Sequence, residues 1–518
     1  MTACFKCQSA PAVVCGRDGP QKSYCSCCFT DFCTRLTRDS LFRNCGMPCD
    51  EPIVVAVSGG YTSMMLLHQL GVLRAQNNIR RGEGRVAFEL IPMHLCEAEL
   101  IVPGKPSAVG TVADGDDQES GELRRIASMM AEQFENLKSL IRTRCVQWEF
   151  ASEPLFTANE VQVVQYSDYL SPFEMSAVRE VLHHPRLPLS QRELLHTRLR
   201  GRVLALAAAD CINAWRRVRQ SASGWHHVLT GENALNCCVA ALREVLSGSE
   251  GKRIAHLAGY RGWVGQCLVM RPLRALIPRE AVIYCRLNGI EASFTPSLST
   301  LTALRSLDRT LEVFFNNMLC TYRTSVFNVL NTVTKLDVED DGDLLEVDLH
   351  AGEEGEQKHQ ERKPKQTKRV ITGKAAQHHR ERLKKRRPPH HSCAVDASAE
   401  TDARVRPLCI ACGCPTAGSS ENQMTFPSGR LRFACAACFQ LISDICEKQR
   451  KGADTSDGMA PPGEGGVTSG VLSAFESLAG RMQELVGEEG KTPAVERQYV
   501  RRRVDARDVD FRTLQQGE

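Results

Sequence analysis

The chain has 518 residues, 42% of them hydrophobic, enough for about two to four domains with real cores. Its formal charge of +4 is small for this length, so global electrostatics make no nucleic-acid claim and any such contact must come from a local patch. No run approaches the roughly 18 apolar residues that span a bilayer, and the opening MTACFKCQSA lacks the basic and apolar regions of a secretory leader. A soluble, intracellular protein without membrane contact is expected.

In such a compartment thiols stay reduced, so the 24 cysteines, many in C-x-x-C pairs, point to metal sites rather than a disulfide framework. Residues 1–50 are cysteine-dense and irregular. Cys4-x-x-Cys7 and Cys25-x-x-Cys28 stand 17 residues apart. Each pair sets two thiolates on one tight knuckle, and two knuckles complete the tetrahedral sulfur shell that zinc prefers. Cys15, Cys27 and Cys33 leave the choice of four open, and a redox pair or incidental cysteines are the bland alternative.

From Pro52 the texture changes. Ile53, Val54, Val55, Ala56 and Val57 form a short β-branched apolar run, Ser58-Gly59-Gly60 ends it, and MMLLHQL after Ser63 begins a buried helix. Residues 86–93 (VAFELIPM) predict a second strand and 103–121 a polar loop. Leu123, Ile126, Met130, Phe134, Leu137 and Ile141 recur at helical spacing, and 145–151 (CVQWEFA) predicts a third strand. A long helix is expected over 191–219, then a strand at 227–230, a glycine turn at Gly231 and a helix over 234–246. A further strand at 267–271 and a helix at 279–287 continue the alternation, which implies an α/β domain with a parallel sheet.

Beyond Val338 an acidic stretch leads into 353–391, with 13 Lys/Arg against 5 Asp/Glu and almost no apolar residues. It cannot bury enough surface to fold. Its charge could attract nucleic-acid phosphates, with a solvated insertion or a nuclear-import-like run as the bland reading, and its His378-His379 and His390-His391 pairs make no complete metal shell. Cys409-x-x-Cys412 and Cys435-x-x-Cys438, 22 residues apart with Cys414 nearby, repeat the zinc pattern. The chain thus divides into a zinc module at 1–50, an α/β domain at 51–336, a disordered insert at 337–404, a second zinc module at 405–447 and a mostly disordered tail at 448–518.

Ser58-Gly59-Gly60-Tyr61-Thr62-Ser63, at a strand–helix junction, resembles the PP-loop S-G-G-x-D-S of ATP pyrophosphatases (the adenine nucleotide alpha hydrolase-like fold). Glycines and a helix N-terminus there suit an anion; an ordinary glycine turn is the alternative. With the N-terminal knuckles through Cys28-Phe29, the block Val269-Met270-Arg271-Pro272-Leu273, Phe294-Thr295-Pro296, Tyr322-Arg323-Thr324 and the late cysteine cluster, the chain resembles the cytoplasmic tRNA 2-thiolation protein 2 family. The likeness covers about 1–336 and 405–445.

That resemblance implies a cytoplasmic, non-catalytic subunit paired with a catalytic PP-loop thiouridylase. The complex moves sulfur from a thiocarboxylated ubiquitin-like carrier onto C2 of wobble U34 in tRNAs for Lys, Glu and Gln. Ser58, Gly59, Gly60 and Ser63 are then a degenerate ATP loop. Active relatives carry Asp where Thr62 stands, and carboxylates where Gly231-Glu232-Asn233-Ala234-Leu235-Asn236 has Leu235 and Asn236. Carboxylates hold Mg²⁺ against a triphosphate, and a hydroxyl, an isobutyl group and an amide do so poorly. The sulfur-carrying C-x-x-C of the catalytic relatives is missing from 195–209. Cys211 stands alone, and adjacent Cys237 and Cys238 read as core residues. Two other readings compete: an adenylating sulfurtransferase using Glu232 and Cys237 or Cys238, and a zinc-finger or RING-like adaptor.

Overall fold

The computed structural model describes residues 3–17, 19–48, 51–79, 89–101, 125, 128–129, 132, 135–140, 162–219, 225–265, 267–293, 296–300, 302–337, 409–412, 423–429, 431–453 and 466–487. The strand expected at 145–151, the insert, Cys414 and most of the amphipathic helix around Leu137 lie outside them.

A six-stranded sheet is the centre of the fold. Its strands are β3 (Pro52–Ala56), β4 (Glu89–Cys96), β5 (Gln162–Gln165), β6 (His226–Thr230), β7 (Arg261–Val264) and β8 (Cys267–Met270), in the order β5-β4-β3-β6-β8-β7. All neighbours are parallel except the edge pair β7–β8. The apolar run at 53–57 is buried on both faces because β3 sits mid-sheet, Val54 pairing with Ile91 on one side and Val228 on the other. Strand order reverses at β3, so the loops after β3 and β6 flank the crevice where α/β folds place their ligands. This is the mostly parallel α/β sheet expected from the strand–helix alternation.

One face of the sheet carries α4 (Pro172–His183) and the 31-residue α5 (Leu189–Arg219). The other carries α2 (Tyr61–Ile79) and α8 (Pro278–Leu287), beneath the N-terminal hairpin β1 (Val14–Gly16) and β2 (Gly19–Tyr24) and helix α1 (Ser26–Asp39). A third apolar cluster joins α6 (Ala234–Leu246) and α7 (Gly251–Ala258) to α9 (Leu307–Thr321) and α10 (Ser325–Val333). The short α3 (Ala98–Ile101) follows β4.

Two segments pack where no packed element was expected. Helix α4 starts at a capping box, Ser171 with Glu174, with proline in the first turn. Within the tail, α12 (Gly466–Gly487) lies on α4 so closely that a Cβ at Gly470 would meet that of Ala177 at 2.4 Å. Val471, Ala474, Phe475 and Leu478 are buried, and Ser473 and Ser477 donate to Glu174 at 2.8 and 2.6 Å. That stripe was masked by the polar, Gly- and Pro-rich flanks around it. Strand β4 also runs to Cys96, three residues past its expected end, and α2 begins at Tyr61, two before Ser63.

Candidate functional site

The N-terminal knuckles meet. Cys4, Cys7, Cys25 and Cys28 place their ligand atoms within 4.8 Å of one another, with Cys7 and Cys25 Sγ 3.8 Å apart. The first knuckle is closed by Cys4 N–H donating to Ala10 O at 2.8 Å and by Gln8 in the left-handed region. The second is the start of α1, where Cys25 caps the helix and accepts from Cys28 N at 3.5 Å. Hydrogen bonds from Ser9 and from the Ala10 amide bring the Cys7 thiol down to about 6, favouring the thiolate that ligates metal. Cys15, Cys27 and Cys33 stay out of the group. Cys27 faces solvent, and Cys33 is sealed in the core, where burial pushes its thiol far up.

The C-terminal set behaves the same way but is buried. Cys409, Cys412, Cys435 and Cys438 also cluster within 4.8 Å, with Cys412 and Cys435 Sγ 3.9 Å apart. The hairpin β9 (Gln423–Thr425) and β10 (Leu431–Phe433) leads into the second knuckle, and α11 (Ala436–Ala453) leaves it. Ile410 N–H donates to Phe433 O at 2.9 Å, tying the knuckles together.

Both sets could hold a metal ion. A tetrahedral ion with bonds near 2.3 Å separates its sulfurs by about 3.8 Å. One sulfur pair in each set, at 3.8 and 3.9 Å, lies near that edge, and all the ligand atoms fall within 4.8 Å of one another.

The glycine loop is built for packing as much as for an anion. Gly59 sits at φ 86°, and a Cβ there would fall 2.1 Å from the buried Leu137 side chain. Gly59 O accepts from Ser293 N at 2.9 Å. Ser58 and Ser63 hydroxyls lie 3.2 Å apart, and Ser63 Oγ donates to Gly60 O at 2.9 Å, so both hydroxyls are engaged within the turn. Gly231 of the β6 loop presses on the start of α2, where a Cβ would lie 2.8 Å from Ser63 N. The structure thus brings Ser58, Gly59, Gly60 and Ser63 together with the Gly231–Asn236 element at the crevice.

Polar groups of that second element are already committed. Glu232 pairs with Arg271 of the VMRPL block and accepts from Thr230 Oγ1 at 3.3 Å. Burial would raise its carboxyl, but the Arg271 guanidinium outweighs this and holds it below the usual range. Asn233 and Asn236 form a reciprocal cap on α6, with bonds of 3.1 and 3.3 Å. Leu235 is buried in the third core cluster. Cys237 and Cys238 are buried too, and burial pushes both thiols up to about 12. Cys211 is raised to about 11 for the same reason.

Some crevice residues carried no motif. Glu97 follows β4 directly, with His196 Nε2 at 3.8 Å and Arg200 Nη1 at 3.6 Å from its Oε1, each from α5. Arg200 keeps 48% and Glu232 37% of side-chain surface open. Their only signal in sequence was position, just past a strand or near the start of the long helix. Arg323 of the Tyr-Arg-Thr element is remote from this cleft and instead donates to Gly16 O at 2.6 Å, holding the N-terminal module.

No helix among the described residues is long and apolar enough to cross a membrane. No family model matches the chain. It is 24% identical over 358 residues to cytoplasmic tRNA 2-thiolation protein 2 of Rattus norvegicus, covering 64% of this chain and 65% of that protein. It is 22% identical over 369 residues to the Homo sapiens protein of the same name, covering 64% and 67%. With cytoplasmic tRNA 2-thiolation protein 2-A of Xenopus laevis the identity is 20% over 371 residues, covering 65% and 68%. The chain therefore spans about two thirds of the length of these relatives. Among solved structures, it is similar to the U34-tRNA thiolase NcsA from Methanococcus maripaludis, solved with its [4Fe-4S] cluster. That match has 14% identity and a TM-score of 0.40, over 65% of this chain and 87% of that one. The NAD+ synthetase from Burkholderia pseudomallei gives 11% identity and a TM-score of 0.24, over 58% and 91%. The family resemblance carried by the cysteine knuckles and the later motifs is borne out by these homologues.

Proposed function

We propose that this homologue of the cytoplasmic tRNA 2-thiolation protein 2 family is the non-catalytic subunit of a complex that thiolates wobble uridine U34 in tRNA. The observation that carries the reading is the Gly231–Asn236 element. Where adenylation needs free carboxylates for Mg²⁺, Asn233 and Asn236 cap a helix, Leu235 fills a core and Glu232 is tied to Arg271. The chain keeps the shape of a PP-loop crevice and lends it to a partner that supplies the chemistry. Thr62 and the packing of Leu137 on Gly59 support the same reading of the ATP loop formed by Ser58, Gly59, Gly60 and Ser63.

The partner is a catalytic PP-loop thiouridylase, and the sulfur comes through the complex from a thiocarboxylated ubiquitin-like carrier. The complex works in the cytoplasm on tRNAs for Lys, Glu and Gln, and the basic run at 353–391 contributes phosphate contacts. Zinc is the metal of both cysteine sets. Cys4, Cys7, Cys25 and Cys28 hold one ion, and Cys409, Cys412, Cys435 and Cys438 the other. Four thiolates leave no open coordination position, so zinc here cross-links chain segments and activates nothing.

The test is capture of the full chain from cells of its own source, followed by mass spectrometry. Recovery of a PP-loop thiouridylase at near-equal stoichiometry is expected. Its absence, with the chain intact and soluble, would sink the proposal.

A further inference from the structure

Helix α5 carries two arginines, one turn apart, against the C-terminal cysteine cluster. Arg202 is 2% exposed. Its Nη2 donates to the carbonyls of Cys409 and Ile410 at 2.7 Å each, and its Nε to Ala411 O at 3.3 Å. The fork thus clamps the first knuckle, but carbonyls carry no net charge. Among the described residues no carboxylate pairs with it.

Arg198 is equally buried and makes a two-pronged pair with Glu244, both bonds at 2.7 Å. That carboxylate also accepts from Arg253 Nε at 2.9 Å and from Ser249 Oγ at 2.5 Å, so its single charge is shared. Arg198 stands four residues before Arg202, on the same face of α5.

A guanidinium cannot shed its proton in a protein. Burying one without a counter-charge is strongly unfavourable. Four neutral thiols would leave Arg202 in that position. Four thiolates on a divalent ion carry a double negative charge, which two buried guanidinium groups balance.

We propose that Arg198 and Arg202 are the counter-cations of a metal–tetrathiolate at Cys409, Cys412, Cys435 and Cys438. The pair thereby couples metal loading to the docking of the C-terminal cysteine module on α5. Both arginines are positioning residues: they act on the metal through the ligands, not by touching it. The coupling is reciprocal, since whatever the arginines add to metal retention the metal adds to docking. The N-terminal set, open to water at Cys7, can have its charge screened by solvent and does without such a device. The proposal rests on reading the C-terminal cysteines as a metal site, and it stands or falls independently of any role in thiolation.

The test uses the full chain with Cys4 and Cys7 changed to Ser, loaded with zinc, so that only the C-terminal site remains. Transfer of zinc to a chromogenic chelator is timed for this parent, for Arg202→Lys and for Arg202→Gln. Release about tenfold or more faster in Arg202→Gln is expected, with Arg202→Lys in between because it keeps the charge and loses the fork. Should Arg202→Gln not fold, the parent itself decides: zinc removal should speed hydrogen exchange in α5 around residues 198–202. Equal release from parent and Arg202→Gln, a parent that holds no zinc, or exchange in α5 indifferent to zinc removal would each overturn the proposal.

Discussion

Arg17 fixes the N-terminal cysteine module to the α/β domain, and replacing it with Met should detach that module locally. Its guanidinium donates to both oxygens of Glu280 at 2.9 and 2.6 Å and to Ala275 O at 3.1 Å. It also lies 4.8 Å from the Phe327 ring centroid and 5.4 Å from that of Phe32. The side chains of Arg17 and Glu280 are 17% and 6% exposed, so this is a largely buried pair. Removing one partner of such a pair costs about 3 kcal/mol at the lower end of the usual range. The lost cation–π contacts add about 0.5–1 kcal/mol. At about 1.4 kcal/mol per tenfold, Arg17→Met should speed local opening by between two and three orders of magnitude, roughly 300- to 700-fold. Hydrogen exchange resolved by mass spectrometry reads this directly. Peptides over 14–24 and 26–39 should accelerate while those over β3 and β6 stay slow. The double variant Arg17→Met/Glu280→Gln should recover part of the loss, because no buried carboxylate is then stranded. Acceleration below about fivefold, or equal acceleration in the central sheet, would refute this account of how the module is held.

Three further outcomes follow from the same geometry. A strong chelator should strip metal in two phases, first from the set containing exposed Cys7 and half-buried Cys28, then from the fully buried C-terminal set; Cys4→Ser should abolish the fast phase, and a single phase would contradict the assignment. His226 is buried, 2.9 Å from Asn213 Oδ1, and burial pushes it down to about 4. It is neutral in the fold but protonates near 6.5 once unfolded, so its contribution is complete above pH 6.5 and is lost as pH falls toward 4, by about 3 kcal/mol in all. Denaturation midpoints taken from pH 7.5 to 4.5 should fall less steeply for His226→Gln, and identical slopes would exclude the effect. Replacing Cys237 and Cys238 together by Ala should leave thiolation by an assembled complex unchanged, since both thiols are buried and held protonated. Loss of thiolation with assembly intact would revive a sulfur-carrying role for them.

Much of the fold was legible because its signals are local. The run Ile53–Val57 is apolar on both faces, as a central parallel strand must be, and is ended by Ser58-Gly59-Gly60, while the cysteine knuckles carry their ligand spacing in the sequence itself. What escaped depends on partners distant in the chain. The choice among the N-terminal cysteines is made by tertiary placement, which turns Cys27 outward and drives Cys33 into the core. The crevice groups Glu97, His196 and Arg200 come from β4 and α5, about a hundred residues apart, and no spacing rule links them. The role of Asn236 was half visible: its lack of charge could be read, but its use as a helix cap required the backbone. Likewise Arg271 and Glu232 stood in separate motifs until the sheet put β6 and β8 side by side.

Under the proposed function this chain leaves the chemistry to a partner. Pyrophosphate release from ATP in the presence of substrate tRNA, measured for the purified chain alone and with its captured partner, tests it most directly. Background release by the lone chain is expected, with robust release and thiolated U34 from the pair. Robust release by the lone chain would contradict it.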